Sequence, residues 1–445
     1  MRVLHVSLGL PPLRTGGMTR YCVELAQSQR EHGDRVALLF PGRFLPGKTR
    51  IKHSLWRGIE TFEVINPLPV ALTYGIDSPA QFTASCNAID AYEELLSTFR
   101  PSYIHVHCFQ GIHSEFFTLA KSRSIPLLFT THDYYPMCSR CTFVNPLGER
   151  CMSGPAPERC AKCNSGRGMT FQKNIVMQSA TYAWLKDSGL MRLLGERVKK
   201  GMNASRSDKE SNAEPSHAYV KAFEKVIEYN SSIVESFDVL LSNSELTERI
   251  YRQYYPRLNY VKLPITHSGL NRRVGSEKDS EGKRPTRIAY YGGNKKYKGI
   301  EVLAEASKLV FQRGVQAEFL LYGDDYPESL QIVGGVKKGR LDPRDVQTTM
   351  RRCDFVVVPS TYPETFGFVV LEALCCGTPV ICSDAVGASD LLSEECIFMA
   401  GDSVSLANAI ENGVKGNRLP ANVPENYPLS MDEQRETIEA IVHGL

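Results

Sequence analysis

Several absences narrow the reading at once. No stretch approaches the roughly 20 apolar residues of a membrane helix, so a membrane-spanning chain is not expected. Charge of one sign is not in excess: 52 Lys+Arg against 49 Asp+Glu leave a formal net charge of +3, too little to mark a nucleic-acid partner. Tryptophan is scarce, with 2 in 445 residues. The dinucleotide pattern GxGxxG is missing from the first strand-to-helix turn. The opening MRVLHVSLGLPP runs into a glycine-bearing loop and an amphipathic helix, and it reads as a first strand rather than a signal peptide. With no such signal, the 13 cysteines point to reduced thiols or metal ligands instead of a disulfide framework, in a cytoplasmic protein. A content of 42% hydrophobic and 23% charged residues is that of a globular protein, and 445 residues suit two α/β domains better than one core.

The most informative stretch runs from Asp354 to Asp390. Phe355–Val358 is a short β-branched run that suits a buried parallel strand. Pro359, Ser360 and Pro363 break it, and a helix is predicted to open near Phe366 and Gly367. Gly377 and Pro379 end that helix before the next strand. Glu364 precedes the helix, Glu372 lies inside it, and seven residues separate them. Thr365, Phe366 and Gly367 would offer free backbone N–H groups at a helix start, where phosphate binds well. An anion site flanked by two carboxylates fits a diphosphate joining two hydroxyl-rich rings.

The run PETFGFVVLEALCCGTPVI resembles the signature of the retaining glycosyltransferases of family 4. The resemblance implies the GT-B architecture: two Rossmann-like, doubly wound α/β domains facing across a cleft. It assigns Glu372 to the ribose hydroxyls of a nucleotide-diphosphate sugar, UDP- or GDP-linked, and Glu364 to the hydroxyls of the transferred sugar. The Thr365–Gly367 amides would hold the diphosphate. The family as a rule needs no catalytic metal.

In the first half, Val3–Ser7, Val36–Phe40, Tyr103–Cys108 and Ile125–Thr131 read as strands. The loop GLPPLRTGG follows the first of them; it is either a phosphate-approach turn or a plain tight turn. The resemblance places Gly16 and Gly17 against the donor diphosphate and the acceptor. His105 and His107 share one strand face, as a structural pair or a metal pair. Thr130-Thr131-His132-Asp133 closes the fourth strand, where parallel sheets place ligands. The family carries a histidine there beside the transferred sugar, a role that falls to His132, with Asp133 orienting its ring.

Residues 138–163 hold Cys138, Cys141, Cys151, Cys160 and Cys163 among Gly and Pro. Two CxxC pairs resemble a structural zinc site. Some bacterial family members have a cysteine-rich loop after the His-Asp pair whose pattern would use Cys138, Cys151, Cys160 and Cys163. Sequence does not choose between Cys141 and Cys151, nor fully between zinc and an iron–sulfur cluster. Ala183–Met202 is basic and partly amphipathic, and reads as a solvated helix or a peripheral contact with the inner membrane face.

Asn271–Pro285 is polar and charged, and the domain boundary is placed there: residues 1–270 form the acceptor-side domain and 286–428 the donor-side domain. Lys295, Lys296 and Lys298 precede a helix. The family's Lys-Gly matches Lys298-Gly299, which assigns Lys298 to the diphosphate; the family's nearby arginine is replaced by Gly292-Gly293. Gly323-Asp324-Asp325 reads as a strand-end turn. Residues 429–445 form a helix with a Ser430–Glu433 capping box, which in GT-B proteins crosses back to the first domain. The expected activity is sugar transfer with retained configuration to a glycan or lipid-linked hydroxyl acceptor in cell-surface polysaccharide or glycolipid assembly. Its rivals are an inactive GT-B scaffold, another nucleotide-sugar enzyme such as an epimerase, and a zinc-ribbon nucleic-acid binder. The last lacks the basic, aromatic-laced stripe it would need around the cysteines.

Overall fold

A computed structural model describes residues 1–151, 153–188, 214–270, 284–323, 326–342, 344–415, 419–421, 423–424 and 427–445. Most of the proposed linker, the Asp324-Asp325 turn and the end of the basic segment Ala183–Met202 lie outside the described residues.

Two sheets organise the chain. The first contains β1 (Arg2–Val6), β2 (Arg35–Pro41), β3 (Arg50–Trp56), β4 (Ile59–Ile65), β5 (Tyr103–Val106), β6 (Leu127–Thr130), β7 (Val239–Ser242) and β8 (Tyr260–Lys262). Their order is β3-β4-β2-β1-β5-β6-β7-β8. All neighbours pair in parallel except β3 with β4. The second sheet contains β9 (Thr286–Tyr290), β10 (Ala317–Tyr322), β11 (Gly335–Gly339), β12 (Phe355–Val358), β13 (Val380–Ser383) and β14 (Ile397–Phe398), in the order β11-β10-β9-β12-β13-β14 and parallel throughout. Parallel strands need crossovers and are covered on both faces, which explains their unbroken apolar runs. Strand β12, for example, is buried at all four positions.

The β3–β4 hairpin is absent from the sequence reading. Strand β3, RIKHSLW, is exposed at nearly every position, so it shows no apolar run to read. It forms a protected edge whose charged side chains deter further pairing.

Sheet order reverses beside β1 in the first sheet and beside β9 in the second. Ligands of open α/β sheets sit outside the carboxyl ends of strands at such points. The carboxyl ends carry Ser7, His107, Thr131 and His132 on one side, and Ser360 with Ser383 on the other. The C-terminal helix, Met431–His443, begins in the expected capping box and packs on the helix Gly17–Glu31. Tyr21 Oη donates to Gln434 Oε1 at 2.8 Å, and Ser28 Oγ to Asp432 Oδ1 at 2.9 Å. Leu25, Ile265, Val370, Leu371 and Ile438 belong to one buried cluster, so residues of both sheets share a core.

Candidate active site

The helix that follows β12 spans Phe368–Cys375, two residues later than the sequence suggests. Gly367 caps it with φ 95, a left-handed geometry favourable only to glycine. A Cβ there would also meet Val386 Cγ1 at 2.7 Å. Thr365, Phe366 and Gly367 therefore form the turn before the helix rather than its first residues. That turn is held at several points: Glu364 N donates to Ala385 O at 2.8 Å, Gly387 N to Glu364 O at 2.9 Å, and Ala388 N to Phe366 O at 2.6 Å.

Glu364 is the best-anchored side chain of the turn. Lys298 Nζ donates to its Oε1 at 2.5 Å, and Ser360 Oγ to its Oε2 at 2.7 Å. Lys298 ends the short turn Lys296–Lys298 before the helix Ile300–Gln312, and its ammonium lies 5.1 Å from the Tyr362 ring centre. Two regions far apart in sequence thus form one charged pair, whose side chains are only 23% and 15% exposed. Glu372 points elsewhere: its Oε1 is 3.2 Å from Nε2 of His267. His267 follows β8, is buried, and stands edge-on to Phe368 with ring centres 5.2 Å apart.

Thr365 ties the two sides together. Its carbonyl accepts from Ser244 Oγ at 2.7 Å and Thr247 Oγ1 at 2.8 Å, and its own hydroxyl donates to the His132 carbonyl at 3.0 Å. His132 and Glu364 are brought close by this residue. Gly17 completes the approach: a Cβ on it would meet the Phe368 ring at 2.9 Å, so only glycine lets the first helix stand so near the second site.

His132 ends a chain of imidazoles. Gln29 Nε2 donates to Tyr103 Oη at 2.8 Å, which turns its Oε1 toward His5 Nε2–H at 2.6 Å. His5 Nδ1 then accepts from His107 Nε2–H at 3.0 Å, and His107 Nδ1 from His132 Nε2–H at 3.1 Å. Each ring is neutral in this arrangement. Burial lowers the pKa of His5 to about 4 and that of His132 to about 3, and pushes His105 and His107 well below the usual histidine value. Asp133 does not orient His132 as its sequence position suggests; its Oδ1 accepts from Tyr135 N at 2.8 Å, and burial raises its pKa to about 6. His5, Gln29 and His267 were not found from sequence. A histidine alternating along β1 was the available signal for His5; nothing local marks the other two.

Among the described residues, the group with metal-ligand spacing is His5, His105 and His107, whose ligand atoms lie within 4.8 Å of one another. The hydrogen bond between His5 and His107 accounts for part of this closeness. The cysteine loop is sorted as follows. Burial raises the pKa of Cys160 to about 11 and that of Cys163 to about 12. Cys141 turns away into the core: its Sγ donates to Leu72 O at 2.7 Å and accepts from Gln110 Nε2 at 3.3 Å. Cys141 is thus engaged with Leu72 and Gln110, while the alternative in which it serves as a ligand stays with the metal proposal.

Residues 16–158 match the family described as Glycosyl transferase 4-like domain, and residues 285–415 the family described as Glycosyl transferases group 1. A phosphatidyl-myo-inositol mannosyltransferase of Propionibacterium freudenreichii is 32% identical over 118 residues, 25% of this chain and 30% of that protein. An uncharacterized glycosyltransferase of Methanocaldococcus jannaschii is 27% identical over 190 residues, 37% of this chain and 46% of that protein. The chain thus spans less than half the length of these curated relatives. Among solved structures, the apo lipopolysaccharide outer core galactosyltransferase WaaB is similar with a TM-score of 0.57 at 11% identity, over 100% of both chains. HepE of Anabaena in complex with UDP is similar with a TM-score of 0.53 at 15% identity, also over 100% of both chains. At these identities the structural likeness is one of fold. Residues 16–158 and 285–415 are thus similar to two successive glycosyltransferase domain families, and the fold is that of the GT-B glycosyltransferases.

Proposed function

We propose that the chain transfers a sugar from a nucleotide-diphosphate sugar to a hydroxyl acceptor with retention of configuration. The observation that carries this reading is the Lys298–Glu364 pair at the turn before helix Phe368–Cys375, joined through Thr365 to His132 of the other domain. Glu372 would bind the ribose hydroxyls, and the Thr365–Gly367 amides with Lys298 the diphosphate. Fixed dipoles and a lysine stabilise the departing diphosphate without a metal. Glu364 would accept from hydroxyls of the transferred sugar and is not assigned as a nucleophile. The acceptor hydroxyl would enter between Gly17 and His132. Its oxygen forms the new bond on the face from which the diphosphate leaves, and a leaving phosphate oxygen takes its proton. HepE of Anabaena, solved with UDP-glucose, and the mannosyltransferase relatives support a nucleotide-sugar donor. UDP- and GDP-sugars are the donors to test first, with glycan or lipid-linked acceptors at a peripheral membrane position. A structural zinc held by Cys138, Cys151, Cys160 and Cys163 is part of the proposal, since a thiolate set suits zinc.

The test is donor binding followed by nucleotide release. Thermal melts with UDP, GDP and their sugar conjugates, with and without magnesium, identify the donor. A ligand at a hundred times its Kd stabilises by about 2.7 kcal/mol. Loss of that shift in Glu372→Ala supports the site. A shift that survives Glu372→Ala, or nucleotide release that survives Glu364→Ala, overturns it.

A further inference from the structure

A cavity lies beside the start of the first helix. It has a volume of about 280 Å³ and is lined by Leu13, Arg14, Thr15, Gly16, Gly17 and Lys186 among others. Two cations face it. Arg14 is only 8% exposed, and its Nε is buried with no hydrogen-bond partner among the described residues. The groups acting on it are Tyr182, Cys108 and Tyr74, none of them a carboxylate. Lys186 Nζ donates to Leu13 O at 2.8 Å, which leaves it two further N–H donors. Neither cation has an acidic partner among the described residues. A buried guanidinium nitrogen without a partner costs stability unless a ligand supplies an acceptor.

The third contributor is the helix Gly17–Glu31. It runs for 15 residues, and its N-cap Gly16 provides no side-chain cap. Its first N–H groups have no partner within the helix, and its dipole favours an anion. The space beside Gly16 is open, with no atom within 4 Å of where a Cβ would stand. A guanidinium fork, an ammonium and free amides around one small cavity match the oxygens of a phosphate.

We propose that Arg14, Lys186 and the N-terminus of helix Gly17–Glu31 form a phosphate-binding subsite for the acceptor, so that the sugar is transferred to a phosphorylated molecule. Assigning this phosphate to the acceptor rests on the glycosyl-transfer reading; the anion site itself does not. The donor diphosphate already has Lys298 and the turn before Phe368. Gly17, which packs on Phe368, stands between the two sites, so an acceptor anchored at Arg14 lies next to the donor. The phosphate ester is either on a soluble molecule or in a lipid headgroup.

Binding is measured on the full chain by calorimetry and thermal melts. The probes are inorganic phosphate, glycerol 3-phosphate, phosphatidylcholine vesicles with and without phosphatidylglycerol, and UDP. The variants are Arg14→Met, the exposed Lys186→Gln, and Glu372→Ala. Phosphate or glycerol 3-phosphate should raise the Tm of the unaltered chain. Arg14→Met and Lys186→Gln should each weaken that binding about tenfold or more, because a charge-assisted hydrogen bond is lost. They should leave UDP binding intact, and Glu372→Ala should do the reverse. Arg14→Met should also melt higher than the unaltered chain without ligand, since it removes a buried guanidinium nitrogen without a partner. Arg14-dependent binding of glycerol 3-phosphate assigns a soluble acceptor; Arg14-dependent binding of the anionic vesicles alone assigns a headgroup. Failure of every phosphate probe to bind, or binding indifferent to both Arg14 and Lys186, overturns the proposal. Phosphate binding lost in Glu372→Ala returns the anion to the donor and overturns it as well. If UDP and GDP never bind while phosphate binds through Arg14, the transferase reading fails and the anion site stands.

Discussion

The Lys298–Glu364 pair makes opposite predictions for its two members. The ammonium and carboxylate touch at 2.5 Å, with side chains 23% and 15% exposed. Exposed pairs contribute roughly 0–1 kcal/mol, and losing one partner of a buried pair costs about 3–5 kcal/mol. This mostly covered pair falls between, at about 2 kcal/mol. If Lys298 meets the diphosphate, UDP must first draw it away from Glu364. Glu364→Gln removes that competition while Ser360 still holds the amide, so UDP should bind about tenfold more tightly or better. Lys298→Gln should weaken UDP and lower the transfer rate by about a hundredfold, the usual scale for one lost charge-stabilising donor. Calorimetry on both single variants and the double variant gives the coupling directly. Equal UDP affinity in Glu364→Gln and the unaltered chain would mean that Lys298 keeps Glu364 when nucleotide binds, and its assignment to the diphosphate would be refuted.

The remaining predictions concern the histidines and the cysteines. Four buried histidines (His5, His105, His107 and His113) and the half-buried His132 have folded pKa values below the usual 6.5, with His5 and His113 at about 4 and His132 at about 3. The stability this confers is present above pH 6.5 and is lost as pH falls toward their folded values. Asp133, raised to about 6, acts in the opposite sense below pH 6. The histidines outnumber the carboxyl, so stability should fall as pH drops from 6 to 5; equal urea midpoints at those two values would contradict it. Gln29→Leu leaves His5 Nε2–H and Tyr103 Oη unpaired in the core and should cost about 1–3 kcal/mol. It should also release the tautomer of His132, read from ¹⁵N shifts of the ring; an unchanged tautomer would refute control by the chain. Metal analysis should find zinc in the purified chain, lost in Cys160→Ser and kept in Cys141→Ser; loss in both would restore Cys141 as a ligand.

What sequence made legible was what lies close together in it. Glu364, the turn and Glu372 sit within a few residues, and the β-branched strand before them marks where they must stand. Lys298 was singled out by the resemblance through its Lys-Gly, and the fold sets it against Glu364. The cysteine loop was legible as a cluster but not as a set of ligands: spacing does not choose between Cys141 and Cys151, and the contacts of Cys141 with Leu72 and Gln110 appear only in the fold. The exposed strand β3 was invisible because its stability comes from pairing with β4, which periodicity does not report.

The acceptor side was harder to read for the same physical reason. His132 stood out at a strand end, yet what fixes its state comes from β1, β5 and the helix Gly17–Glu31, more than a hundred residues earlier at the Gln29 end. A buried imidazole chain has one free choice, the direction of its N–H groups, and the Gln29 amide makes that choice at the far end from the cleft. With Gln29 Oε1 facing His5, every ring donates from Nε2, and His132 keeps an unprotonated Nδ1. Reversing the amide would reverse every ring and place a proton there instead. Here Gln29 Nε2 donates to Tyr103 Oη, which goes with the first state. His132 is thereby held as a neutral ring with a lone pair available at Nδ1, so in the acceptor role proposed for it, that atom would receive a hydrogen bond from a sugar hydroxyl rather than donate one.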